Sequence, residues 1–315
     1  MTDALLQIAD MLLVLAVAPA LSGLVRWLKA RLLGRRGPSP LQPYRDLARL
    51  LRKEAALADN ASWVFRVAPY MSFTAIWLGA SLIPTIGHGL PLGPTADLIA
   101  LVALVGSARF FIALAGLDVG TSFGGIGASR EMMIGSLAEP AMLMVTFTLA
   151  ILVRSTSLEE VVTFTQTGAV GLRVSLALAL IALIMVALAE NARIPVDNPA
   201  THLEVTMVHE AMVLEYSGRH LALIEAGAMV KLVLYASLIL AVFVPFGMPL
   251  AGSGAGALAL GAVLYLVKLA VVAVLLALFE TSIAKMRVFR VAEFLGGAVL
   301  LGVLATIYLY VTQAL

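Results

Sequence analysis

Long apolar runs recur along this chain and decide what it can fold into. Eight stretches of about 20 apolar residues, the length that crosses a hydrocarbon core of about 30 Å, are separated by short polar segments. They lie at 4–28, 65–86, 96–117, 131–153, 170–190, 219–246, 256–282 and 291–313. Each must be helical, because lipid offers no partner to backbone N–H and C=O groups and the alternating pattern of a membrane barrel is absent. The sequence therefore predicts an all-α polytopic membrane protein with about eight transmembrane helices.

Composition agrees with this class and excludes several others. Apolar residues make up 61% of the chain, charged residues 13%, and the mean hydropathy is +1.01. The absence of cysteine excludes disulfides and thiolate-bound zinc or iron–sulfur centres. A net charge of +2 is too small to indicate a nucleic-acid partner. Asp3 and Asp10 argue against a signal peptide at the start. We expect one integral membrane domain over 1–315.

The lysines and arginines set an orientation, because basic residues collect in cytoplasmic loops. The odd-numbered loops hold Lys29, Arg31, Arg35, Arg36, Arg45, Arg49, Arg52, Lys53, Arg130, Arg193, Arg219, Lys285, Arg287 and Arg290. The even-numbered loops have Arg154, with Arg173 just inside the next span. The pattern predicts that both termini lie outside and that the basic loop 29–60 and the charged loop 189–218 are cytoplasmic.

The first of these loops contains an amphipathic segment. Residues 44–57, YRDLARLLRKEAAL, carry leucines on one face and basic residues on the others. This pattern predicts a helix lying in the membrane interface. The preceding GRRGPSPLQP, residues 34–43, should follow a tight non-helical path because of its glycines and prolines.

Several ionisable residues fall inside the predicted spans and need an explanation. They are Asp10, Arg109, Glu139, Glu225, Lys231, Lys268 and Glu280. Each costs about 2.5–3.5 kcal/mol at the bilayer centre, so they should face one another or a hydrated cavity. Two interpretations stay open at this point: a route for protons or ions, and buried ion pairs that fix the register of the helices.

The most charged stretch is AENARIPVDNPATHLEVTMVHEAMVLEYSG, residues 189–218. Pro195 and Pro199 end the fifth span, and a new helix could be capped by Asn198 or by a Thr201–Glu204 capping box. His209 begins an H-E-x-x pattern, but Val213 stands where a zinc protease needs its second histidine. His202 and His209 lack a third ligand, so we expect no metal site.

Glycines are concentrated in GTSFGGIGASR, residues 120–130. The segment has no preceding strand and no complete phosphate-binding pattern, so we expect a flexible cytoplasmic connection whose glycines allow close approach of the backbone. No arrangement of residues typical of a catalytic centre accompanies it. We therefore expect no catalytic residues in this chain.

Four ordered motifs resemble a known family. GRRGPSPLQPYRD with RKE, GASREMMIGSLAEP, AENARIPVDNPATHLE and LEYSG, within 34–54, 127–140, 189–204 and 214–218, are similar to those of the membrane subunit shared by respiratory complex I and the energy-converting nickel–iron hydrogenases. Members form the heel at which a cytoplasmic redox arm docks onto the membrane arm. In the complex I branch they also wall a quinone cavity from which acidic residues lead into the membrane.

The resemblance, taken together with the charged residues in the spans and in 189–218, predicts two sets of site residues. The set for proton or ion coupling is Glu139, Glu190, Asp197, His202, Glu204, His209, Glu210, Glu215, Glu225, Lys231 and Lys268. The set for docking to the redox arm is Arg35, Arg36, Pro38, Arg45, Asp46, Arg130, Arg193 and Tyr216. No cofactor is expected in this chain, and the partner subunits would carry iron–sulfur clusters and, in a hydrogenase, a nickel–iron centre.

Departures from the quinone-using branch indicate which side of the family the chain resembles. Ala200 and His202 stand where that branch has two carboxylates, and TMVHEAM replaces a less polar segment. These changes favour the hydrogenase side and weigh against a quinone site.

The leading hypothesis is a non-catalytic coupling subunit in a bacterial or archaeal cytoplasmic membrane. Its expected partners are hydrogenase-like large and small iron–sulfur subunits, antiporter-like membrane subunits and lipid. The alternatives are the quinone-site subunit of an NADH–quinone oxidoreductase, a stand-alone ion transporter and a purely structural anchor.

Overall fold

The computed structural model describes residues 2–167, 173–197, 208–250, 253–284, 286 and 290–314. Within these ranges the secondary structure is helical, with two isolated β-bridges and no sheet. The helices are α1 (Thr2–Leu32), α2 (Gln42–Leu51), α3 (Trp63–Ser81), α4 (Leu98–Asp118), α5 (Ser122–Val153), α6 (Leu158–Gln166), α7 (Val174–Glu190), α8 (His209–Val213), α9 (Gly218–Phe243), α10 (Ala255–Ser282) and α11 (Arg290–Ala314). A short 3₁₀ turn at Gly93–Thr95 precedes α4.

All eight apolar runs form helices, and six of the described helices are long and apolar enough to cross a membrane. These six are α1, α4, α5, α9, α10 and α11. The other two, α3 and α7, have 19 and 17 residues. The chain is thus a nearly all-helical, multi-pass membrane protein, whereas the exact count of eight spans stays a prediction.

Helix α9 lies at the centre of the packing. It contacts α3 and α1, and its residues Val233, Leu234 and Leu238 are almost fully buried. Around it, α3 packs on α4, α4 packs on α5, and α11 packs on both α5 and α7. Helix α10 packs chiefly on α1 and leaves much of its apolar surface exposed. Such exposure suits a helix that faces lipid or other subunits.

The first loop folds partly as predicted. Residues 35–41 are non-helical, and the Pro40 carbonyl approaches α1 so closely that a Cβ at Gly23 would overlap it. The amphipathic helix is shorter than predicted, since α2 ends at Leu51 and 54–58 are not helical. Its apolar residue Leu47 packs against the core. The position of α2 at a membrane interface stays a prediction.

The glycine-rich segment 120–130 is not the flexible connection that the sequence predicted. Thr121 caps α5 by accepting from the Gly124 N–H at 3.2 Å, and the helix continues from Ser122 onward. Its glycines do allow close approach: a Cβ at Gly124 would overlap the Gly116 carbonyl of α4, and one at Gly127 would lie 2.9 Å from Ala211. Helical continuity is therefore combined with tight packing against α4 and α8.

Candidate functional site: a buried charge cluster

Arg109 of α4 lies buried among three carboxylates. Its Nη1 is 3.1 Å from Glu139 Oε1, its Nε is 3.6 Å from Glu131 Oε1, and its Nη2 contacts Glu190 Oε1. The Lys231 Nζ of α9 lies 3.8 Å from the other oxygen of Glu190. These five side chains, called the Arg109 cluster below, come from α4, α5, α7 and α9. Three carboxylates against two cations leave one negative charge in excess when all are ionised.

The sequence of α5 makes room for this arrangement. Glu131, Gly135 and Glu139 follow one another at intervals of four, so they lie on one helical face. A Cβ at Gly135 would overlap the Arg109 guanidinium, which therefore lies across the gap between the two glutamates. On α4, a Cβ at Gly106 would lie 3.0 Å from Glu139 Oε1. Gly135 thus leaves the space that the buried guanidinium fills, whereas a side chain at Gly106 would require Glu139 to move by a few tenths of an ångström.

Burial makes the balance of charge in the cluster important. The side chains of Arg109 and Glu190 are 3% and 2% exposed, whereas that of Glu139 is 46% exposed. Two ions removed from water are stable only when they are paired and hydrogen-bonded, and loss of one partner costs about 3–5 kcal/mol. Any change in protonation at one carboxylate must therefore alter the ion pairs of the others.

Two adjoining cavities connect the cluster with the turn that follows α7. A cavity of about 40 Å³ is lined by residues that include Glu131, Glu190, Asp197, His209 and Lys231. A larger one, of about 500 Å³, is lined by residues that include Arg26, Lys29, Arg193, Asp197, His209, Glu210 and Glu225. Asp197 and His209 line both. Burial lowers the pKa of His209, although the nearby carboxylate of Glu131 acts in the opposite direction. His209 therefore favours its neutral form, which can both accept and donate a proton.

A second buried carboxylate fixes the edge of the larger cavity. Glu280, near the end of α10, lies 2.6 Å from Lys29 Nζ of α1 and 3.4 Å from Arg193 Nη1. Burial lowers the pKa of Arg193, and the charge of Glu280 opposes this shift. The Met286 N–H also donates to the Pro195 carbonyl at 2.9 Å. The turn after α7 is therefore tied to both α1 and α10.

The predicted coupling residues divide into several groups. Glu139, Glu190 and Lys231 belong to the Arg109 cluster, and Asp197, His209, Glu210 and Glu225 line the cavities. Glu215 is exposed. Lys268 lies apart from the cluster and donates to the Val244 and Phe246 carbonyls at the end of α9. His202 and Glu204 fall outside the described residues.

The predicted docking residues also differ in exposure. Arg35, Arg36, Pro38 and Arg45 are exposed, whereas Asp46 is half-buried and pairs with Arg49 at 3.0 Å. Arg130 is half-buried, and Arg193 pairs with Glu280.

Tyr216 is buried among helices rather than presented at the surface. Its ring stacks on Phe65 with centroids 3.9 Å apart, and its hydroxyl donates to the Phe65 carbonyl at 2.8 Å. Burial raises the pKa of Tyr216 far above its ordinary range. Tyr216 can therefore affect docking only by positioning the segment that carries it.

Sequence reasoning missed part of the site. Arg109 and Glu280 were recognised as charges within spans but not as site residues, and Glu131 and Lys29 were not singled out as members of a charge cluster. The four-residue spacing of Glu131, Gly135 and Glu139 was the signal available for the cluster. Within the described part of the chain, no group of three or more acidic or histidine side chains is placed to hold a metal ion.

Comparison with known proteins identifies the family. A family described as NADH dehydrogenase matches residues 5–311. The chain belongs to this family. Formate hydrogenlyase subunit 4 of Escherichia coli K12 is 37% identical over 276 residues, covering 88% of this chain and 89% of that protein. Hydrogenase-4 component C of the same organism is 34% identical over 282 residues, covering 89% and 87%. The family resemblance predicted from the motifs is thereby confirmed.

A solved structure shares the fold. A chain of the membrane-bound sulfane sulfur reductase, an archaeal respiratory membrane complex, superimposes with a TM-score of 0.83 and covers 98% of this chain and 100% of its own. Its sequence identity is 20%, so this likeness shows the fold alone. The family match and the two Escherichia coli relatives identify the protein as a membrane subunit of the hydrogenase-type and complex I-like class.

Proposed function

We propose that this chain is the membrane anchor and coupling subunit of a hydrogenase-type complex, which links electron transfer in a docked iron–sulfur arm to the movement of protons or sodium ions. The observation that carries the coupling role is Arg109, buried in contact with three carboxylates from two helices. A purely structural pair needs one carboxylate for one guanidinium. The cluster holds three carboxylates for two cations, so it has one acidic group more than its ion pairs require.

The adjoining cavities support a path for charge between the cluster and the predicted cytoplasmic side. His209 and Asp197 line both cavities, and a neutral histidine can relay a proton between two volumes that it separates. A redox event in a docked arm would change the field at the larger cavity. The cluster would respond by exchanging partners around Arg109, because its ion pairs cannot all be kept when one carboxylate gains a proton.

Docking is assigned to the exposed basic residues of the first loop. Arg35, Arg36 and Arg45 are free to meet a partner surface, and arginine is well suited to bind carboxylates at an interface. The Escherichia coli relatives are named as a subunit of formate hydrogenlyase and a component of hydrogenase-4, which supports hydrogenase-like large and small subunits as partners. Antiporter-like membrane subunits would then receive the coupled ion.

The experiment for this function is purification in mild detergent through a tag at the C-terminus, with mass spectrometry and metal analysis of what copurifies. Nickel, iron–sulfur subunits and antiporter-like subunits are the expected result. Iron–sulfur subunits with flavin but no nickel would contradict the hydrogenase assignment. A chain that copurifies with nothing and moves ions after reconstitution alone would be a stand-alone transporter, and a coupling subunit would be inert in the same assay.

A second candidate is favoured by the larger cavity. Its volume of about 500 Å³ lies within the range that holds small organic ligands, and Val213, Leu221, Ile224 and Met229 give it apolar walls. A quinone-site subunit would use this volume for the ring and tail of a quinone. Binding of a short-chain quinone to the purified complex, weakened by Ala228→Phe in the cavity wall, would support this candidate over the first.

A further inference from the structure

Asp10 of α1 forms a second buried acidic site, distinct from the Arg109 cluster. The residue is fully buried at 0% exposure. Its Oδ1 accepts from the Thr85 hydroxyl and from the Ile86 N–H at 3.2 Å. Its Oδ2 is buried without a hydrogen-bond partner. No lysine or arginine among the described residues pairs with it. One carboxyl oxygen of Asp10 is thus hydrogen-bonded, and the other has no hydrogen-bond partner.

The site lies far from the cytoplasmic end of α1. Lys29, which binds Glu280 beside the larger cavity, is 19 residues further along the same helix. At 1.5 Å per residue this separation is about 28 Å, close to the thickness of a hydrocarbon core. Asp10 therefore belongs to the opposite end of the helical bundle.

The neighbours of Asp10 are hydroxyl groups rather than charges. From α10, Tyr265 is the titratable group that interacts with it, and the Tyr265 hydroxyl is 2.7 Å from Ser237 Oγ of α9. Lys268, one turn further along α10, already donates to the Val244 and Phe246 carbonyls. From the segment after α3 the neighbouring groups are the Thr85 hydroxyl and the Ile86 N–H, which carry no charge.

A proton is the most favourable partner for the Asp10 oxygen that lacks a hydrogen bond. An isolated carboxylate in apolar surroundings costs so much free energy that the group neutralises by taking a proton. A protonated Oδ2 needs no cation, and a neutral carboxyl costs far less free energy to bury than a carboxylate does. The hydrogen bonds to Oδ1 are compatible with the carbonyl oxygen of a neutral acid.

A path for the proton leads away from the Arg109 cluster. Gln7 lies one turn before Asp10 and is itself buried; its Nε2 donates to the Ser81 carbonyl at 3.2 Å, and its Oε1 accepts from the Leu92 N–H at 3.3 Å. Gln7 lines a cavity of about 20 Å³ with His88 and Glu159. A volume of roughly 10–15 Å³ is enough for one water molecule between polar groups. The titratable groups His88 and Glu159 thus line the same cavity as Gln7, the residue one turn from Asp10.

We propose that Asp10 is a proton-binding site that fills as the pH falls into the mildly acidic range and is connected through the Gln7 cavity to the end of the bundle opposite the Arg109 cluster. The site exchanges its proton with water by that route. It is a property of this chain alone, so it does not depend on the identity of the redox partners. The proton site at Asp10 could therefore be correct even if the proposed coupling function is wrong.

The first test is infrared spectroscopy of the purified full chain and of its Asp10→Asn variant. A protonated carboxyl has a C=O stretching band that carboxylates lack, and the band shifts in heavy water. The difference spectrum should contain such a band in mild acid, and the band should weaken as the pH rises. Asp97→Asn is the matched control, since Asp97 caps α4 by accepting from Ile99 N–H at 2.7 Å and hydrogen bonds lower its pKa despite some burial. The Asp97→Asn variant should keep every C=O band of a protonated carboxyl that the wild type shows. A difference spectrum of Asp10→Asn without the band would overturn the proposal.

A second test uses the unaltered protein, so it does not depend on whether the variant folds. A hydrophobic carbodiimide adds to a protonated carboxyl; the acid O–H adds across one C=N bond, and the adduct rearranges to a stable N-acylurea with no atom lost. Mass spectrometry should locate this adduct on Asp10, with the yield falling as the pH rises. A yield suppressed by sodium at fixed pH would show that sodium competes with the proton for this carboxyl and would overturn the assignment to the proton alone. Absence of any adduct on Asp10 in mild acid, where the band is expected, would also overturn the proposal.

Discussion

Gly135 and Arg109 occupy adjoining space so closely that a Cβ on the glycine would overlap the guanidinium. The contact explains how one arginine reaches Glu131 and Glu139 on the same face of α5. It also makes the cluster sensitive to a single methyl group.

Gly135→Ala should therefore disrupt the cluster. Overpacking of a close contact costs about 1–3 kcal/mol, and the displaced guanidinium would lose one of its carboxylates. We expect a lower unfolding temperature in mild detergent and a marked loss of coupled ion transport. Gly125→Ala is the control on the same helix, because a Cβ there meets no atom within 4 Å. Equal behaviour of the two variants would refute the role given to Gly135.

Removal of the Arg109 charge should lower the free energy of unfolding far more than removal of a surface charge does. Arg109→Gln leaves Glu190 buried, and among the described residues its remaining ionic partner is Lys231, with Nζ at 3.8 Å. Breaking a buried pair in this way costs about 3–5 kcal/mol. Arg49→Gln breaks the exposed pair with Asp46 and should cost less than about 1 kcal/mol. Unfolding followed in detergent measures both, and similar losses would show that the Arg109 pairs are not buried as described.

His209 should make the stability of the protein sensitive to mild acid. Burial lowers the pKa of His209 below its ordinary value of 6.5, so the unfolded chain takes up a proton at a higher pH than the folded protein does. The stability of the folded state is unaffected above 6.5 and falls as the pH drops from 6.5 toward the lowered pKa.

Measurement of the unfolding temperature of wild type and His209→Gln between about pH 5 and pH 8, where histidine ordinarily changes charge, tests this sign. The wild type should lose more stability on acidification than the variant. A wild type that gains stability relative to the variant at low pH would mean that His209 is protonated in the folded state.

Variants of Tyr216 can distinguish whether this residue positions its own segment or contacts a partner subunit directly. Tyr216→Phe keeps the stacking on Phe65 and removes one hydrogen bond to its carbonyl, which is worth about 1 kcal/mol. Tyr216→Ala also removes the ring and should cost about 3–5 kcal/mol. We expect normal assembly with partner subunits for Tyr216→Phe, as judged by copurification. Loss of assembly without loss of stability would instead indicate direct contact with a partner.

The apolar runs predicted the helices well, because burial in lipid leaves the backbone few alternatives. The end of α7 before Pro195 was also predictable, since proline cannot continue a helix. The segment 120–130 was misjudged because glycine normally weakens helices, whereas here Gly124 and Gly127 are required by the packing of α5 against α4 and α8. Tertiary contact outweighed local propensity.

The site was predictable residue by residue but not as an assembly. Glu139 and Lys231 stood out as costly charges inside predicted spans, and Glu190 stood out as part of the charged stretch 189–218. The central position of Arg109 depends on how α4 crosses α5, which no local pattern specifies. Lys268 was misleading for the same reason: the carbonyls at the end of α9 satisfy it, and only the fold brings them together.

The most direct test of coupling is the number of ions moved per electron by the intact complex in sealed vesicles, compared between wild type, Glu190→Gln and the control Glu293→Gln. Glu190 is buried at the centre of the cluster, whereas Glu293 is exposed at the start of α11. The account predicts that Glu190→Gln assembles and transfers electrons but moves few or no ions, while the control matches wild type. An unchanged ion-to-electron ratio in Glu190→Gln would contradict the claim that the Arg109 cluster couples the two processes.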